Sequence, residues 1–107
     1  MNNIKDVFEK ARIEARKYAF QTAGEDIMIY PCGFAWVSLK VRKNDTLGKK
    51  LEAEGCMDWD NYRKWYYVWI SDYNQSMSHR EAHAKKLAEL LTIEYGETFQ
   101  YDSKMDY

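Results

Sequence analysis

Two short segments with strict period-two patterning commit this chain to a sheet. In the first, Ala35, Val37, Leu39 and Val41 fall on one side of an extended backbone, and Phe34, Trp36, Ser38 and Lys40 on the other. In the second, Trp65 to Ser71, Tyr66, Val68 and Ile70 alternate with Trp65, Tyr67 and Trp69. Aromatic and β-branched residues suit a pleated, half-buried surface. The aliphatic side of each strand needs a cover, and the rest of the chain offers helices for it.

The first helix is read from Ile4, Val7, Phe8, Ala11, Ala15, Tyr18 and Ala19, spaced by three and four with charges between them. Asn2 or Asn3 can cap its start, and Gly24 ends it. Ser78 and Glu81 form an S-x-x-E capping box that places another helix start at Ser78. Ala84, Leu87, Ala88, Leu91 and Tyr95 are its core stripe, and Gly96 its C-terminal cap. A short helix through Leu47 and Leu51, capped by Asn44 or Asp45 and ended by Gly55, is expected on the surface. Ile27 to Tyr30 is cut short by Pro31, which makes it an edge piece or a lead-in. Cys56 to Lys64 reads as a loop, Thr98 to Asp102 as a last strand, and residues 103–107 as a frayed polar tail.

The order is then α-β-α-β-α-β in a single domain spanning residues 1–107. The fold class is α+β, with α/β as the alternative. A two-layer arrangement is expected, about three strands with the first and third helices on one face. The second strand, third helix and last strand resemble a β-α-β unit, whose crossover is right-handed if the strands are parallel. Strand order stays open.

Helices on one face leave Phe34, Trp36, Trp65, Tyr67 and Trp69, with Phe99 or Tyr101, on the other. Three outcomes are open for that face: cover by the second helix, the Ile27 to Tyr30 run and the loop near Trp59; self-association into a homo-oligomer; or a foreign partner. A slip of one residue would exchange the two faces. Aromatics make up 16% of the chain, with nine Tyr and four Trp, more than a core of this size needs. Trp36, Trp65, Tyr67 and Trp69 are therefore the expected partner-binding residues.

The net charge of −1 argues against both a strongly basic nucleic-acid binder and an acidic DNA mimic. Locally, Arg42, Lys43, Lys49 and Lys50 cluster beside the aromatic strand, a combination suited to stacking and electrostatics on single strands. Asp72, Gln75 and Ser76 gather before the third helix with Arg80 a turn away, a weak anion-site pattern that an ordinary turn and cap also explain. His79 and His83, at i and i+4, could hold zinc with a third ligand, but Glu81 is at the wrong offset for a metalloprotease signature, and two solvated histidines are expected. Cys32 and Cys56 are expected as reduced structural thiols, since nothing ties an activating base to Cys32. Asp58, Asp60 and Asn61 lack calcium-loop spacing and read as a solvated turn. No cofactor motif, metal set or catalytic constellation is legible, so enzymatic activity is not expected. The absence of a signal-type leader and of any apolar run near 20 residues points to the cytoplasm and away from membranes.

Cys32-Gly33-Phe34-Ala35-Trp36-Val37 and Ser71-Asp72-Tyr73-Asn74-Gln75-Ser76-Met77, the latter followed by an Ala- and Lys-rich helix, resemble a group of small accessory proteins of tailed bacteriophages. The likeness covers about a third of the chain, and the group has no assigned activity. It implies a protein made in the bacterial cytoplasm that binds a host component, possible targets including host-defence factors. The expected function is thus a non-enzymatic binding protein acting on a host protein. The alternative is a nucleotide or single-stranded nucleic-acid binder that uses the aromatic face.

Overall fold

The computed structural model describes residues 4–23, 33–70 and 77–105. The elements are α1 (Ile4–Ala23), β1 (Gly33–Leu39), α2 (Thr46–Ala53), β2 (Asp58–Asp60), β3 (Trp65–Trp69), α3 (Met77–Tyr95) and β4 (Phe99–Met105). The four strands form one sheet in the order β2-β3-β1-β4, with every neighbouring pair antiparallel. Mixed α+β architecture is as expected. The sheet has four strands where the sequence pattern shows three.

The extra strand is β2, inside the segment expected as a loop. Three residues are too few to display an alternation. The tail is also corrected, because Ser103, Lys104 and Met105 pair with Ala35, Phe34 and Gly33. β3 and β4 each run antiparallel to β1, so they are parallel to one another with β1 between them. The β-α-β resemblance is therefore right in direction but split by an inserted strand. β1 and β2 are likewise parallel across β3. Two interlocked split units of this kind are the topology of ferredoxin-like sheets.

α3 packs against β1 and β4, and α1 lies along α3. Phe8, Ala11, Ala15 and Ala19 of α1 join Ala84, Leu87, Ala88 and Leu91 of α3 in one core with Ala35, Val37, Leu39 and Tyr66 of the sheet. Small alanines on both helices permit close approach, and each buried Leu contributes about 1.5–3 kcal/mol. The α1 caps expected at Asn2, Asn3 and Gly24, and the Ile27 to Pro31 run, lie outside the described residues.

α2 is more deeply seated than expected. Leu51 is fully buried, and Gly48 lies against the Tyr66 ring. Asp45 is the N-cap, accepting from the amides of Leu47 and Gly48 at 3.1 and 3.3 Å. At the other end, Cys56 N–H donates to Leu51 O and Gly55 N–H to Glu52 O, with Gly55 at φ +77°. This is a Schellman closure, and it needs the left-handed conformation that glycine adopts without a Cβ penalty.

α3 begins at Met77, so Ser78 lies within the helix, and Glu81 accepts a hydrogen bond from Ser103 Oγ of β4 instead of closing a capping box. His79 and His83 are buried, not solvated. They occupy the row 79, 83, 87, 91 with Leu87 and Leu91, and the i+4 spacing carries them into the core. His79 meets the Phe20 ring edge-on, with centroids 5.4 Å apart.

Candidate functional site

The strand registers settle the two faces of the sheet. Trp36 stands opposite Trp69 and Ser38 opposite Tyr67, so the β1 and β3 rings share the side turned away from the helices. Asp58 and Asp60 join this side from β2, and Gln100, Asp102 and Lys104 from β4. Phe99 and Tyr101 do not belong to it, because they pair with Leu39 and Val37 on the helix side. Among the covers considered for the rings, α2 and Trp59 both pack against Tyr66, on the opposite side.

All four expected contact residues, Trp36, Trp65, Tyr67 and Trp69, come together on this face, turned away from the helices. Trp69 is the hub, meeting Trp36, Phe34 and Tyr67 edge-to-face at 5.2, 6.1 and 6.4 Å. Trp69 is 49% exposed and Phe34 39%, whereas Trp36 is 9% exposed, enclosed by its neighbours.

Two cations are set among the rings. Lys40 Nζ lies 4.8 Å from the Trp65 centroid. Arg63 Cζ lies 5.5 Å from the Trp36 centroid and 5.6 Å from that of Trp65. Arg63 is delivered by the β2–β3 hairpin, whose strands close at the pair Asp60 and Trp65. Asp60 Oδ1 accepts from the amides of Tyr62 and Arg63 at 2.8 and 3.1 Å, and Lys64 N–H donates to Asp60 O at 2.8 Å. Lys64 takes a left-handed conformation at φ +61° to finish the turn. Four-residue hairpin loops of this kind are common, and an aspartate that bonds amides further along stabilises them.

Two depressions meet at Arg63 and Trp65. One is a shallow groove of about 920 Å³, whose cationic lining residues are Lys40, Arg42, Lys43, Arg63 and Lys64. Its one acid is Asp45, which is committed to capping α2. The other, about 280 Å³, is floored by the rings of Trp36, Trp65, Tyr67 and Trp69 and rimmed by Asp60, Tyr62 and Arg63. Of the basic residues expected to act together, Arg42 and Lys43 line the groove, and Lys49 and Lys50 are exposed on α2 outside it.

The weaker anion-site expectation does not join this face. Gln75 and Ser76, with Asp72, lie outside the described residues. Arg80 is 8% exposed and belongs to α3, on the helix side of the sheet. Cys32 also lies outside the described residues. Cys56 is free and buried, and burial pushes its thiol up, reinforced by Glu9 and Glu54 and opposed by Lys5 and Arg12. A thiol held protonated is a poor nucleophile. Among the described residues, no three His, Cys, Asp or Glu side chains gather as a metal set.

Arg63, Tyr62 and Asp60 were not legible as site residues, since a three-residue strand hid the hairpin that carries them. The available signal was the Asp60-Asn61 turn pair, three residues short of the aromatic strand. Among the described residues, no helix is long and apolar enough to cross a membrane. No protein-family model matches this chain, and no curated protein or solved structure is significantly similar to it.

Proposed function

We propose that this chain is a non-catalytic binding protein that takes single-stranded nucleic acid across the sheet face turned away from its helices. One observation carries the proposal: Arg63 joins the aromatic floor and the five-cation groove into one surface. Bases stack on rings with little regard to sequence, while phosphates track adjoining cations. A net charge of −1 does not oppose this, because the groove gathers its cations locally. The test is a fluorescence titration with short single-stranded oligonucleotides at low salt. Saturable quenching of the face tryptophans is expected. Trp69→Ala weakens binding about tenfold, in line with roughly 1–3 kcal/mol per stacked base. No binding of any oligonucleotide by a folded sample would reject the proposal.

A second reading keeps the same face and changes the partner. The end formed by Phe34 and Trp69 is apolar and exposed, a patch suited to a protein surface. In the setting implied by the phage resemblance, the partner is a host protein in the bacterial cytoplasm, and the chain is an accessory factor that antagonises it. Stoichiometric capture of one host protein, lost in Phe34→Ala and retained in Arg63→Gln, supports this reading over nucleic acid.

A further inference from the structure

We infer that the smaller depression at the hairpin end of the sheet holds a single unstacked base and selects it by its amino edge. The inference rests on the nucleic-acid proposal and adds base preference to it. The floor is aromatic, so a planar heterocycle stacks there with its edge toward the rim. The rim supplies one carboxylate, Asp60, and that carboxylate is held in place. Its Oδ1 is fixed by the amides of Tyr62 and Arg63. Its Oδ2 has no donor among the described residues.

A carboxylate only accepts hydrogen bonds. The base must therefore bring an N–H to Oδ2. Guanine offers adjacent imino and amino donors, and adenine and cytosine an exocyclic amino group. The imino N–H of thymine or uracil lies between two carbonyl oxygens, which a carboxylate repels. The chemistry orders the bases with guanine first, adenine and cytosine between, and thymine or uracil last. Arg63, beside the same cavity, offsets the repulsion between Asp60 and the incoming phosphates. Tyr62 stands at the hairpin tip, 92% exposed, free to close over the base from the solvent side.

The experiment is a titration of the intact protein with nine-residue deoxythymidine oligonucleotides whose central base is guanine, adenine, cytosine or thymine. The guanine oligonucleotide is expected to bind on the order of tenfold tighter than the all-thymine one, the worth of one hydrogen bond to a charged group. Asp60→Asn keeps an oxygen for the two turn amides and places an NH₂ donor at the other position. It should abolish the guanine preference and improve thymine binding. Tyr62→Ala should weaken the guanine oligonucleotide with no change in thermal midpoint, and Tyr62→Phe should restore it. Equal affinity for all four oligonucleotides overturns the base pocket and leaves nucleic-acid binding standing. A guanine preference that survives in Asp60→Asn overturns the assignment of Asp60. If no oligonucleotide binds, the underlying proposal fails, and the pocket with it.

Discussion

Gly48 shows how a single missing Cβ can set the geometry around a site. A Cβ built there would fall on the ring of Tyr66, which is 1% exposed. That ring cannot step aside easily, because its hydroxyl accepts the amide of Asn44 at 3.1 Å. Two effects compete in Gly48→Ala. The helix interior gains about 1 kcal/mol in propensity, and overpacking a filled core costs about 1–3 kcal/mol or more. With Tyr66 pinned at both ends, overpacking wins. Net destabilisation of about 1–2 kcal/mol is expected in a urea melt, and a gain in stability would refute this account. Residue-scale legibility followed the same division between pattern and contact. That Trp36, Trp65, Tyr67 and Trp69 share one face was legible from alternation alone, which is a property of the strand. The burial of His79 and His83 was missed because polar residues at a helix start look solvated until the i+4 row is followed through Leu87 and Leu91.

Among the elements, the end of α3 is anchored to two others. Thr92 Oγ1 donates to Ala88 O and accepts from Phe99 N–H, tying the helix to the start of β4. Tyr95 donates its phenol hydrogen to Ile4 O, 2.9 Å away, fastening α3 to the start of α1. Burial, with the neighbouring Cys56 and Glu94, pushes the Tyr95 phenol up from its usual value of 10.0 to about 12. As pH rises, the unfolded chain releases this proton first. The contribution to stability is therefore whole below pH 10 and is lost as pH climbs toward about 12. Tyr95→Phe should lower stability at neutral pH by about 1 kcal/mol and remove this part of the alkaline decline. Melts of both proteins from pH 8 upward, compared as differences, check both claims. The long helices and both patterned strands were legible because their periods repeat several times. β2 was not, since three residues hold no period, and the end of β4 was not, since Ser103 and Lys104 resemble a tail until β1 pairs with them.

At the scale of the whole molecule, strand order decides the charge map. No local pattern reveals that order, because it is set by which edges the crossovers leave free. Placing β3 beside β1 brings the cations after β1 next to those of the β2–β3 hairpin, which lie twenty or more positions further along the chain. The groove so formed takes five of the 16 Lys and Arg residues and one of the 17 Asp and Glu residues, leaving the rest of the chain net acidic. A single strand is then attracted at one place and repelled elsewhere, and the salt dependence of binding reads how many cations take part. Each phosphate neutralised on a single strand contributes a slope of about −0.7 in log K against log salt. Three to five contacts give a slope between about −2 and −3.5. Replacing Arg42 and Lys43 together by Gln should make it shallower by about 1.4. Replacing Lys49 and Lys50, which carry the same charge outside the groove, should leave it nearly unchanged. If the two pairs change the slope equally, the attraction comes from overall charge and not from the groove. If the slope is flat in the unaltered protein, any affinity for oligonucleotides comes from the rings alone.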